Sequence, residues 1–448
     1  MERRFSKILA VPPGPKALET LRREAGLMAK GGLRPYPLIP RGGEGCVLAD
    51  VDGNSYIDFS SGGGLILLGH NHPKIIEALK TQIGMSTPIP SGLCSEEMLT
   101  LAEMLSEITP GSYEKRLHLE GCSSTPIETA LKLLRWHTRN PYFIGFIGAF
   151  HGETYGALSL AADRPVRRRY LGPFLPNVYH APYPYCFRCP FKLECPDCGY
   201  SCVDFLEEWV FKRFIPPEDV AAVVTEPVMS EGGYIVPPSE YFKRLKRLLE
   251  EHGIPLVVDE ARCGIGRTGR WFAVEHWDVE PDLTCFGGAL GGGLSLGGFA
   301  VRAEMADWEG GVHADGFGVS PLALAAAITT INTIKEEGLL DNVINQGRYL
   351  LRRLTELGNE HPLIGDVRGK GLMVGVELIK EDKEKTPAEE EAKEIISTCW
   401  KRGLCLTLTG ASTLRINPPL TVTQEIMDEG LNILEGAIKE LERESERL

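Results

Sequence analysis

Val220-Ala221-Ala222-Val223-Val224-Thr225 is an unbroken apolar run of strand length, and Pro255-Leu256-Val257-Val258-Asp259 is a second one. Between them, Glu240–His252 carries helical charge spacing and stops at Gly253, a residue suited to the left-handed backbone that closes a helix. Continuous apolar runs, as opposed to alternating ones, mark strands buried on both faces, as parallel strands are. Tyr142–Ile147 repeats the pattern upstream with aromatic and branched side chains. This strand–helix alternation extends over residues 75–330 and predicts an α/β domain with a largely parallel sheet.

Outward from that region the pattern changes. Residues 1–35 are mixed and basic and read as an N-terminal arm. Gly45–Phe59 reads as two short strands around the turn Asp52-Gly53-Asn54. After residue 335, two helices flank the strand-like runs Gly371–Leu378 and Ser412–Ile416, and a charged amphipathic helix spans 424–446. The expected organisation is residues 1–75 as arm and part of a small domain, 76–335 as the large domain with a cysteine-rich insertion at 183–203, and 336–448 as the small α+β domain.

The 448 residues are 43% hydrophobic and 24% charged, enough apolar surface for a folded core, so disorder is excluded as the main state. The formal charge of -13 argues against a nucleic-acid partner. No apolar run reaches the length of a membrane span, and the start Met1-Glu2-Arg3-Arg4-Phe5 lacks the apolar stretch of a signal peptide. A cytoplasmic protein with a small-molecule ligand and no membrane is expected.

Open parallel sheets bind ligands at the carboxyl ends of their strands. Several segments fall there. Glu120-Gly121-Cys122-Ser123-Ser124-Thr125-Pro126 precedes a helix at Ile127–Arg135, a setting for an anion or for plain capping. Ala149-Phe150-His151-Gly152 offers a ring and an imidazole, to a planar ligand or to ordinary packing. Asp259-Glu260 places acids at the mouth of a buried strand, where they must be paired. Gly264-Ile265-Gly266-Arg267-Thr268-Gly269 meets a dinucleotide spacing without the strand–turn–helix context that would support it, and reads as a loop. Gly287–Gly293 and His313–Gly318 are glycine-rich loops, readable equally as mobile surface.

Together these blocks resemble class III aminotransferases, which are fold-type-I pyridoxal-phosphate enzymes. The matching residues are Gly69-His70-Asn71-His72-Pro73, Gly148–Gly152, Glu226-Pro227, Glu231-Gly232-Gly233, Asp259-Glu260, Gly266–Gly269, Leu290–Leu294, Gly365–Gly371 and Arg415–Leu420. The chain looks closest to archaeal 4-aminobutyrate aminotransferase-like and amino-acid racemase-like members. The resemblance implies a large domain with a mainly parallel seven-stranded sheet, a smaller α+β domain, a homodimer, and pyridoxal phosphate. It implies Asp259 on the pyridine nitrogen, Phe150 stacked on the ring, further cofactor contacts from Ser123, Ser124, His151, Glu226 and Arg262, and Arg415 on a substrate carboxylate.

One position departs decisively. The family's Schiff-base lysine precedes a Leu-Gly-Gly-Gly stretch, and here that place reads Gly287-Gly288-Ala289-Leu290-Gly291, with Gly288 at the lysine position. Glycine can neither bond the cofactor nor carry a proton. The pocket differs elsewhere too: Cys122–Ile127 replaces the phosphate block, Gly316 a threonine, Ser320 an asparagine, Arg262 a glutamine and Ser230 a glycine, and Pro88–Leu93 replaces an aromatic-bearing loop.

A protein unable to transaminate alone is expected, either a pseudoenzyme, partnered with itself or an active paralogue, or an engineered scaffold. Two other enzymes stay open: an acyl-transfer hydrolase pairing Cys122 or Cys285 with His151, or an aminotransferase or racemase using another lysine. A binder of apolar ligands, its cavity enlarged by Gly63, Leu67, Gly288 and Gly316, is a further alternative.

Five of the twelve cysteines fall within one short segment: Cys186-x-x-Cys189, Cys195-x-x-Cys198 and Cys202. Paired Cys-x-x-Cys motifs can hold tetrahedral zinc, and the same ligands an iron–sulfur cluster. The gap between the pairs is short for a zinc ribbon, and buried thiols or a disulfide are the alternative. Relatives resemble this chain at Cys186, Cys189, Cys198 and Cys202. Any metal there is expected to be structural.

Overall fold

Seven strands form the central sheet of the computed structural model, in the order Lys115–Glu120, Gly297–Arg302, Leu283–Phe286, Leu256–Asp259, Val220–Thr225, Tyr142–Phe146 and Val178–Ala181. Residues 4–29, 31–85, 89–90, 92–122, 124–314, 318–380 and 384–445 are described. Gly297–Arg302 runs antiparallel to both neighbours, while the five strands from Leu283–Phe286 to Val178–Ala181 pair in parallel. The mainly parallel α/β sheet is therefore present.

The chain divides into two compact units, Glu77–Leu340 and the pair of segments Met1–Ile76 and Asp341–Leu448. In the first, every residue of Val220–Thr225 and Leu256–Asp259 is buried, as their apolar composition requires. Helix Pro126–Thr138 covers the sheet, starting with a proline whose missing N–H leaves no bond unmade and whose fixed φ suits a first turn. Its Ile127, Leu131 and Leu134 pack with Phe143, Leu160, Val224, Val257, Leu283 and Phe299 in one core. Helix Tyr241–Glu251 ends before Gly253, which adopts a φ of 64°.

In the second unit, Val47–Asp50 and Ser55–Asp58 pair antiparallel around the Asp52-Gly53-Asn54 turn, and Ser55–Asp58 also pairs in parallel with Leu404–Cys405. A second sheet orders Ile364–Lys370, Met373–Leu378, Thr413–Ile416 and Thr407–Thr409. The final helix is Gln424–Ser445. Among the described residues, no helix is long and apolar enough to cross a membrane.

The segment 183–203 contains no strand. It holds short turns and enters the helix Ser201–Phe205. All twelve cysteines are free thiols, so the disulfide alternative is not realised.

Candidate functional site

Asp259 ends the central strand Leu256–Asp259, flanked by Val220–Thr225 on one side and Cys285 on the other. Its Oδ2 lies 2.9 Å from His151 Nδ1, and its Oδ1 accepts from the Ala261 N–H at 3.1 Å. His151 reaches it because the chain turns sharply after Tyr142–Phe146. Gly148 takes a φ of 95°, where a Cβ would strike the Met229 sulfur. The same turn delivers the Phe150 N–H to Glu226 Oε1 at 3.0 Å, and the Ser230 N–H and hydroxyl bond the other Glu226 oxygen. Asp259, His151, Glu226 and the Phe150 backbone thus meet around one turn.

The three titratable groups are buried and coupled. Burial alone would lower the His151 pKa, but its bond to Asp259 and the charges of Asp259 and Glu226 outweigh it, and the net shift is upward. Burial, reinforced by the Asp259 charge, pushes Glu226 up to about 7, against the opposing pull of His151, Ser230 and the Phe150 N–H. The result is an imidazole hydrogen-bonded to Asp259 with its pKa held up, beside a second carboxyl whose pKa is pushed up to about 7.

A group of arginines flanks this centre. The Arg167 guanidinium lies 4.4 Å from the Phe150 ring centroid and bonds Asp163 at 2.9 Å. Arg164, Arg167 and Arg262 all approach Glu231, at 4.0, 3.8 and 3.9 Å. Arg262, expected at the cofactor, is therefore drawn to Glu231. Arg164 and Arg167 escaped sequence reading because they sit at a single short 3-10 turn, Pro165–Arg167. The i,i+4 spacing of Asp163 and Arg167 was their only signal.

The loop before helix Pro126–Thr138 reaches the His151 turn: a Cβ on Gly152 would stand 3.0 Å from the Ser124 carbonyl oxygen. Thr125 occupies the N-cap but turns its hydroxyl to Glu120, leaving no side-chain cap. Ser123 and Gly316 lie outside the described residues. Arg415 is buried in the strand Thr413–Ile416 of the other unit, as Leu67 is buried there.

The cysteine–histidine pair of the hydrolase alternative is not formed. Among the described residues His151 Nε2 is buried with no hydrogen-bond partner, so it meets neither Cys122 nor Cys285. Cys122 contacts Ser124 Oγ at 3.0 Å, and hydrogen bonds from Ser124 and Thr125 overcome partial burial to lower its pKa. Burial pushes Cys285 well up, with the Asp259 and Glu120 charges adding, which keeps it a thiol.

Gly288 sits in the turn after Leu283–Phe286 with a φ of 20°. Of eight lysines in the Glu77–Leu340 sequence, six have contacts elsewhere. Lys115 bonds the Ser106 carbonyl, Lys132 bonds His313, and Lys212, Lys243, Lys246 and Lys335 pair with Glu208, Asp278, Asp282 and Glu107. Lys80 lies in the helix Pro73–Ile83, and Lys192 in the cysteine-rich insertion.

Cys186, Cys189, Cys195, Cys198 and Cys202 line one small cavity of about 20 Å³. Burial and then the neighbouring thiols push Cys186 and Cys202 up to about 12. Among the described residues, two groups bring three or more His, Cys, Asp or Glu ligand atoms within 4.8 Å of one another, and neither contains these cysteines. The sulfurs are gathered but do not close on one point.

For pyridoxal phosphate the fit divides. The Asp259 carboxylate, held by His151 and aimed from a strand end, suits a protonated ring nitrogen, while position 288 offers no amine. Pyridoxal phosphate is nonetheless the expected cofactor, because class III aminotransferases depend on it.

Residues 28–438 match the family described as aminotransferase class-III. The alanine/serine racemase of Pyrococcus horikoshii is 40% identical, covering 97% of this chain and 93% of its own. A probable 4-aminobutyrate aminotransferase of Bacillus subtilis is 35% identical over 89% of this chain and 92% of its own. Among solved structures, a thermostable (S)-enantioselective omega-transaminase from Thermomicrobium roseum superposes with a TM-score of 0.88 at 29% identity, covering 95% of this chain and 98% of its own. The chain belongs to the class III aminotransferase family.

Proposed function

We propose that this chain binds a pyridoxal-phosphate-type ring without a covalent lysine bond and does not transaminate or racemise on its own. The observation that carries this reading is Gly288. A side chain bearing an amine is required at that turn both to hold the cofactor and to move the substrate proton, and glycine supplies none. Six of the unit's lysines are engaged away from Asp259, which favours the reading over replacement by another lysine.

In this reading Asp259 accepts from the ring nitrogen, His151 keeps Asp259 oriented, and Phe150 covers one ring face. The backbone amides that open helix Pro126–Thr138, with Ser123 and Ser124 before them, take the phosphate. Arg415 takes a substrate carboxylate, and amino acids are the ligand class indicated by the relatives' names. Class III aminotransferases are typically homodimers, and the chain would act in a homodimer or beside an active paralogue. The thiol cavity would hold a structural zinc ion or iron–sulfur cluster only after its sulfurs close together, which metal analysis of freshly purified protein tests.

Gly288→Lys is the direct test. The variant should gain a reducible lysine-bound cofactor and a half-reaction with an amino acid, both absent from the wild type. Amino-group transfer by the wild type at a rate matching the variant would refute the proposal.

A further inference from the structure

The geometry points to a divalent transition-metal site formed by His118, Glu120 and His313. It does not depend on the cofactor reading. His118 and Glu120 alternate along the strand Lys115–Glu120, so both side chains leave the same face of the sheet. His313 comes from a loop nearly two hundred residues later. One ligand atom from each of the three lies within 4.8 Å of the other two. His118 Nε2 and Glu120 Oε1 approach to 3.3 Å as an ion-pair contact, and among the described residues neither buried atom makes a hydrogen bond of good geometry. A cation shared between them would be ligated by both atoms and would relieve that imperfect pairing.

The surroundings hold this arrangement in place. The His118 ring stacks on Phe299 at 5.1 Å, and the His313 ring stacks on Trp308 at 5.4 Å with an interplanar angle of 11°. The two imidazoles meet edge to face at 5.4 Å. The other Glu120 oxygen accepts the Thr125 hydroxyl, an outer partner of the kind that orients a ligating carboxylate. His118 and His313 also line a cavity with Trp308, Leu119 and Gly310, which leaves room for a water or other small ligand on the ion. Two imidazoles and a carboxylate with open positions suit zinc, cobalt, nickel or ferrous iron.

Lys132 is the competitor. Its Nζ lies 3.0 Å from His313 Nδ1. Donating there, the ammonium blocks that nitrogen and fixes a proton on the other, so it opposes a cation at either position. Metal binding must displace this exposed side chain. The ion would then clasp the 311–314 segment to the end of the strand Lys115–Glu120.

Cobalt titration of the full-length, chelator-stripped protein tests the site. Cobalt bound by imidazole and carboxylate gives a ligand-field spectrum without the intense sulfur-to-metal charge transfer that cobalt at the cysteine cavity would show. One thiolate-free site per chain is expected. His118→Gln and His313→Gln should each abolish it, Thr125→Val should weaken it by roughly 10- to 100-fold, and Lys132→Ala should tighten it. His313→Gln lies in a loop and guards against misfolding of the strand variant, with melting of the cobalt-free proteins as the check. Absence of a thiolate-free cobalt signal, or its survival in both histidine variants, would overturn the assignment.

Discussion

His151 Nδ1 and Asp259 Oδ2 stand 2.9 Å apart in a site closed to solvent, joining the turn after Tyr142–Phe146 to the end of Leu256–Asp259. The Asp259 hydrogen bond and charge outweigh the burial of the imidazole. The imidazole should titrate above its ordinary value and lose its proton only as pH rises through that elevated pKa. Asp259→Asn keeps the shape but removes the charge, so the His151 pKa should drop. Histidine-resolved NMR titration of both proteins measures this, and an unchanged His151 in the variant would contradict the coupling.

Glu260, the next residue, has a different fate. It accepts the Ala273 and Val274 N–H groups at 2.9 and 2.8 Å and the Cys263 thiol at 3.0 Å, yet burial pushes it up to about 7. Its folded pKa exceeds the unfolded value near 4.5. The folded state therefore holds a proton that the unfolded state has lost, and stability falls as pH rises from about 4.5 to 7. The full contribution is on the order of 3 kcal/mol. Glu260→Gln should flatten that part of the stability profile, measured by denaturant unfolding across the range. An unchanged slope would rule the assignment out.

Arg167 serves two partners at once, the Phe150 ring and the buried Asp163 carboxylate. Burial raises the Asp163 pKa and Arg167 restrains the rise. Arg167→Ala should cost about 1–3 kcal/mol through the stranded acid, with the loss greater at neutral pH than at low pH, where Asp163 is protonated in both states. Equal destabilisation at both would point to lost packing alone.

The glycine loop around position 288 makes a steric prediction. A Cβ at Gly291 would sit 2.0 Å from the Leu294 carbonyl oxygen, whereas one at Gly310 would meet nothing within 4 Å. Gly291→Ala should destabilise by about 1–3 kcal/mol, and Gly310→Ala by far less. Thermal melts of the two variants settle the contrast.

The strands Val220–Thr225 and Leu256–Asp259 were legible because burial on both faces writes itself as uninterrupted apolar sequence. Lys115–Glu120 and Gly297–Arg302 were not. The first alternates charge with leucine at the sheet edge, and the second begins with two glycines that admit the neighbouring backbone: a Cβ on Gly298 would lie 2.1 Å from the His118 carbonyl oxygen. Asp259 and His151 were visible as polar residues at strand ends. The partners of Glu231, and the meeting of His118 with His313, depend on loop paths that no local pattern encodes.

The central claim concerns position 288. Purified wild-type protein, incubated with pyridoxal phosphate and reduced with borohydride, should show no stoichiometric mass increase, and peptide mapping should find no modified lysine. A single lysine carrying the reduced cofactor at full occupancy would contradict the account and return the chain to lysine-dependent chemistry.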